Sequence, residues 1–143
     1  MSSKFGFLSK LNFLQNFASM VIAGLNPAIV HNLEKYMAIK KVHYLSAIED
    51  IEGDYIEFGV YTGSSFCHSI RCAKKLAKIN SSIISTSFYG FDSFEGLEEE
   101  WITDSYNPVG TFSLNKKPPK VSKNVNLVVG KVQATLENFM EKN

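Results

Sequence analysis

Cysteine is scarce: Cys67 and Cys72 are the only two in 143 residues. They stand five apart inside a segment of helical pattern. That spacing fits neither a CxxC redox motif nor a zinc-ligand set, and it is poor geometry for a disulfide within one helix. Two free thiols point to a reducing compartment, so the expected location is cytoplasmic. An excess of either charge is missing as well, since 15 basic and 14 acidic residues leave a net +1. This balance gives no ground for a nucleic-acid or anionic-membrane partner. Long apolar runs are absent. In "FGFLSKLNFLQNFASMVIAGL" the residues Lys10, Asn12, Gln15 and Asn16 interrupt the apolar stretches, leaving them too short for a hydrocarbon core of about 30 Å. Lys10 also falls where the apolar region of a signal peptide would lie. His31, His43 and His68 share no metal-ligand spacing and read as structural or solvent-facing. No Ser-His-Asp arrangement is legible, and the first loop described below lacks GxSxG, so a hydrolase elbow is not supported.

What the chain does have is apolar substance: 45% of its residues are hydrophobic and 13% aromatic. A domain of this size buries about two-thirds of its unfolded surface. Leu11, Leu14, Phe17, Val21 and Leu25 recur at helical spacing, predicting an amphipathic helix that packs on its own domain or on a second subunit. Asn26-Pro27 ends it, and Pro27 suits the first turn of a second helix over 28–49. Gly53 marks the exit. A strand is expected over 54–59, a helix over 64–79 and a strand over 86–92. An irregular stretch follows over 97–123, then a strand over 125–129 and a helix over 132–141. Strands alternating with helices predict an α/β fold with a parallel sheet and right-handed crossovers. The division expected is an N-terminal helical segment, 1–50, and a partial Rossmann-like domain, 51–143.

In such sheets ligands bind beyond the carboxyl ends of the strands. Glu57-Phe58-Gly59, Asp92 and Gly130 all occupy such ends. In "DYIEFGVYTGSSF" Gly59 and Gly63 allow a tight turn and a close ligand approach, while Ser64 and Ser65 are candidates to cap the next helix. The free N–H groups of that helix favour an anion, and Glu57 suits a ligand ammonium. Together they fit a zwitterion such as the methionine end of S-adenosylmethionine. A dinucleotide fingerprint, GxGxxG, would need glycines where this loop has Val60, Tyr61 and Thr62. Asp92 suits two ribose hydroxyls, or the cap of a helix starting near Ser93, or both.

These residues carry a resemblance. "GDYIEFGVYTGSS" followed by "YGFDSFEGL", with the later "VGTF" and "VNLVVGKVQATLENF", closely resembles the macrocin O-methyltransferase (TylF-type) family of class I S-adenosylmethionine-dependent methyltransferases. The likeness runs from Lys40 to Phe139. It implies that Glu57, Phe58, Gly59, Tyr61, Gly63 and Ser64 surround the methionine part of the cofactor. It further implies that Asp92 and Ser93 take the ribose with Phe94 nearby, and that Gly130, Lys131 and Val132 border the adenine. The implied reaction is methyl transfer to a hydroxyl of a sugar or other small-molecule acceptor, in full-length relatives often with Mg²⁺.

The family continues into a fourth strand that carries metal ligands and the region of the catalytic base, whereas this chain ends at Asn143. The expectation is therefore a chain truncated after its third core strand, with catalytic residues beyond it. Strand 54–59 would then have one unpaired side with Ile56 and Phe58 on it, predicting a homo-oligomer through that edge or through the N-terminal helices. Two alternative functions are a non-catalytic nucleoside-binding or oligomerisation module and a dinucleotide-binding oxidoreductase fragment. Lys116, Lys117, Lys120 and Lys123 read as a solvated loop, and Trp101 as either a lid or a cover for the core.

Overall fold

The computed structural model describes residues 11–103, 105–121 and 125–142. Lys10 and Lys123 lie outside the described residues. The chain divides into two compact units, Met1–Met37 and Ala38–Asn143, with the division inside a helix.

The first unit holds α1 (Asn12–Ala23) and the start of α2 (Pro27–Ile48). Asn26 accepts the Ala28 N–H at 2.9 Å through its side chain, and Pro27 fills the first helical position where no N–H is needed. Phe13, Phe17, Met20 and Ile22 are exposed on α1. No single helix among the described residues is long and apolar enough to cross a membrane. α1 and α2 meet that description only together, as a pair bent by 117°.

The second unit continues α2 and adds β1 (Tyr55–Phe58), α3 (Ser64–Leu76), a 3₁₀ turn (Ser81–Ser85) and β2 (Phe88–Asp92). A short hairpin of β3 (Trp101–Ile102) and β4 (Tyr106–Asn107) comes next, then β5 (Asn126–Val129) and α4 (Val132–Met140). The chain is thus α/β. Its main sheet has the order β1-β2-β5, parallel throughout. Among the described residues β1 pairs only with β2, and Ile56 and Phe58 are exposed on it.

Alternation along the strands decides what each face buries. Tyr55, Phe88 and Leu127 turn toward α3 and pack with Val60, Phe66, Ile70 and Phe94. Phe66, Phe91 and Phe94 are essentially buried, and each contributes about 1.5–3 kcal/mol by leaving water. Gly90 lets Phe66 cross the sheet: a Cβ there would stand 2.7 Å from Val60 Cγ2 and 3.0 Å from Leu127 Cδ2. On the opposite face Phe139 of α4 meets Tyr89 and Phe91 edge-on, at centroid distances of 4.8 and 5.1 Å.

The expected irregular stretch over 97–123 contains the β3–β4 hairpin, whose two-residue strands are too short to leave an alternating pattern. Trp101 sits in that hairpin with its side chain exposed, so it does not cover the core. The Asn80–Ser87 connection is ordered by Asn80, which donates to the Ala47 carbonyl and to Asp50 and accepts the Ser82 N–H.

Candidate functional site

The three strand ends deliver three loops to one cleft of about 190 Å³. Gly59, Asp92, Ser93, Gly130, Lys131 and Val132 line it, together with Phe91, Glu98 and Gln133. All but the last three are residues singled out in the sequence. Glu98 belongs to the acidic run "EGLEEEW" and carried no sign of its position. Gln133 directly follows Gly130-Lys131-Val132, so its neighbourhood was the available signal.

The β1–α3 loop is built around two glycines in the left-handed region, Gly59 (φ +80°) and Gly63 (φ +77°). Nothing lies within 4 Å of where a Cβ on Gly59 would stand, so this backbone faces open space. Gly63 is buried beneath Pro119 and Val121 and occupies the N-cap of α3 itself. Ser64 and Ser65 therefore do not cap that helix by a side-chain hydrogen bond. Ser64 is exposed at its first turn, and Ser65 turns back to Glu57. Val60 points into the core, while Tyr61 is exposed and edge-on to Phe112 at 5.6 Å.

Asp92 ties this loop to the next. Its Oδ2 accepts the Tyr61 N–H at 2.7 Å, and its Oδ1 accepts the Phe94 N–H at 2.7 Å. Ser93 repeats the device by accepting the Glu95 N–H at 3.2 Å. The helix expected near Ser93 does not form. Phe94 adopts φ +56°, a left-handed conformation that stops helix growth. Its ring is 1% exposed and belongs to the core, so of the expected ribose group only Asp92 and Ser93 reach the cleft. The Phe94 carbonyl accepts the Leu114 and Lys116 N–H groups at 3.0 and 3.1 Å, which fastens the following loop.

The third loop closes the cleft. Gly130 donates its N–H to the Asp92 carbonyl at 3.0 Å, continuing the sheet past β5. Lys131 pairs with Glu98 at 3.1 Å, bridging the second and third loops.

Glu57 and Phe58 stand apart from the cleft lining. Phe58 lies on the opposite face, 5.2 Å from the Phe91 ring by centroid distance. Glu57 turns toward α3, where Tyr55 and Ser65 donate their hydroxyls to it at 2.7 and 2.8 Å. Burial, then the bond to Glu57, pushes the Tyr55 phenol up to about 12. Ser69, fully buried, contacts the same phenol and hydrogen-bonds with His43 of α2. Burial holds the His43 pKa below its ordinary value, and the charge of His68 adds to this. Sequence reasoning missed this chain of polar groups. Its one signal was the i,i+2 spacing of Tyr55 and Glu57, which puts both on one face of β1.

Among the described residues no group of three or more His, Cys, Asp and Glu side chains could hold a metal ion. Comparison of the chain with protein-family models, curated proteins and solved structures gave no match.

Proposed function

We propose that the chain binds S-adenosylmethionine in this cleft, as the cofactor-holding part of a Rossmann-like, class I methyltransferase-type fold. The chemistry served is O-methylation of a hydroxyl on a small-molecule acceptor. One observation carries the reading: the parallel order β1-β2-β5 gathers Gly59, Asp92, Ser93 and Gly130–Val132 around a single cleft. The likeness of these segments to the macrocin O-methyltransferase family assigns the same residues to the cofactor.

The side chains present fit such a ligand. Each Asp92 oxygen holds one N–H and keeps a lone-pair direction for a ribose hydroxyl. The open space over Gly59 admits a group that a side chain would exclude. Glu57, held by two hydroxyls and turned toward α3, lies outside this lining, so the fit rests on Asp92 and Gly59. When bound, the cofactor supplies a methyl group on a sulfonium. The chain's own contribution is to bind and orient that group, which lowers the entropic part of the barrier. A pyrophosphate fits the first loop less well, since Tyr61 occupies the approach that glycine provides in dinucleotide sites.

The test is a titration with S-adenosylhomocysteine followed through backbone amide resonances. The reading expects Gly59, Asp92 and Gly130 to shift saturably, and NAD to leave them in place. Absence of shifts in the folded chain, or shifts with NAD instead, contradicts it. Binding without methyl transfer to any hydroxyl acceptor would assign the chain to the non-catalytic nucleoside-binding alternative.

A further inference from the structure

The net charge of +1 conceals a segregation along the chain. Between Glu57 and Asp92 there is no Asp or Glu, yet Arg71, Lys74, Lys75 and Lys78 all fall there. Arg71 stands at i,i+3 and i,i+4 to Lys74 and Lys75, spacings at which like charges repel on a helix. Lys40 of α2 adds a fourth cation to the same place. These four residues, with His68 and Cys72, line a cavity of about 460 Å³ whose lining includes no carboxylate. Among the described residues the ion pairs are Lys116–Glu95 and Lys131–Glu98, so none of the four cations is neutralised by one.

A solvated helix end explains part of this. Lys74 and Lys75 lie in the last turn of α3, where cations complement the helix dipole. That account does not reach Arg71 in the helix body or Lys40 on a different helix. Nor does it explain why both helices turn cations toward one cavity. The convergence is also felt in the cavity wall: burial pushes the Cys72 thiol up, and the charges of Lys40 and Lys75 oppose that shift.

We propose that this cavity binds a phosphate group. Arg71 presents a fork of donors suited to two phosphate oxygens, and Lys40, Lys74 and Lys75 act as point charges around it. Arg71–Lys75 lie seven to eleven residues past Ser64, about 10–16 Å along the helix at 1.5 Å per residue. The site is therefore separate from the cleft at the strand ends and does not depend on the cofactor reading. The phosphate has two possible sources, a soluble phosphorylated molecule or a lipid headgroup.

The experiment uses inorganic pyrophosphate as the soluble probe, followed through amide resonances, and cosedimentation with phosphatidic-acid vesicles as the lipid arm. Saturable shifts at Lys40 and Arg71–Leu76 are expected in the first arm or vesicle binding in the second. Arg71→Glu with Lys75→Glu should weaken that binding about tenfold or more. Lys78→Glu, in the turn just past α3 and outside the cavity lining, should leave it unchanged. Lys40→Glu alone gives the same readout if the double variant fails to fold. Vesicle binding displaced by pyrophosphate assigns the site to phosphate from either source, while pyrophosphate shifts without vesicle binding assign it to a soluble ligand. The proposal is overturned if neither probe binds, or if Lys78→Glu weakens binding as much as the cavity substitutions do.

Discussion

Replacing Asp92 by Ala should loosen two loops at once, and the size of the effect follows from the two N–H groups it holds. Both bonds measure 2.7 Å and end on a carboxylate. A hydrogen bond to a charged group contributes about 1.5–3 kcal/mol. Tyr61 is 41% exposed, so water can take over its N–H, and that bond falls at or below the lower bound. Phe94 is 1% exposed, and losing its turn also disturbs a core ring. Asp92→Ala should therefore cost about 2–4 kcal/mol. Asp92→Asn keeps one acceptor oxygen, and Asn supports the same turn toward Phe94, so its cost should be about 1–2 kcal/mol. Urea denaturation of the three proteins, with equal slopes, gives the comparison. An Ala variant within about half a kcal/mol of the parent would refute the claim that Asp92 fastens these loops. The difference also matters for ligand work, because Asn separates loss of the proposed ribose acceptor from loss of the loop better than Ala does.

Gly90→Ala should destabilise by about 1–3 kcal/mol through overpacking, because its Cβ would stand 2.7 Å from Val60 and 3.2 Å from Phe66. A thermal melt unchanged by that substitution would contradict the packing of α3 on β2. The Tyr55 phenol, raised to about 12 from 10.0, contributes stability that is complete below pH 10.0 and lost as pH rises through about 12. Ultraviolet titration should show a tyrosine ionising near pH 12, and Tyr55→Phe should remove that step while the Tyr106 phenol, raised by its bond to Glu100, remains. His43 has a folded-state pKa below 6.5, so its contribution is complete above pH 6.5 and falls as pH drops through the folded value. Urea midpoints between pH 7 and pH 5 should decline, and less steeply in His43→Gln (pH values bracketing the reference near 6.5). Equal slopes in the two proteins would place the acid sensitivity elsewhere.

The order of the main elements was legible in the sequence because each follows a local pattern. The run 54–59 is a short apolar stretch closed by Gly59, and β1 occupies its middle, Tyr55–Phe58. The segment 64–79 repeats at helical spacing, and α3 fills most of it, Ser64–Leu76. What escaped depends on conformation at single residues or on contacts distant in sequence. Phe94 at φ +56° turned an expected helix start into a pair of side-chain turns. The cap of α3 fell to Gly63, left-handed at φ +77°, while Ser65 lies inside the helix and donates to Glu57. His43 meets Ser69 across 26 residues, a contact that no local pattern announces. Of the cleft, the glycines and Asp92 were legible since only small or acidic residues suit those strand ends. Glu98 was hidden among neighbouring acids, and its role depends on where Lys131 comes to lie.

The central claim is that the cleft over Gly59 is a cofactor mouth. Calorimetric titration of S-adenosylmethionine into the chain and into Gly59→Val tests it most directly. A Cβ at Gly59 meets nothing within 4 Å, so the variant bears backbone strain and its Cβ clashes with no protein atom. Strain of this kind costs about 1–2 kcal/mol and leaves a domain of ordinary stability folded. The account predicts measurable binding to the parent and a loss of about tenfold or more in the folded variant. Equal binding by both proteins, or no binding by a folded parent, would contradict it.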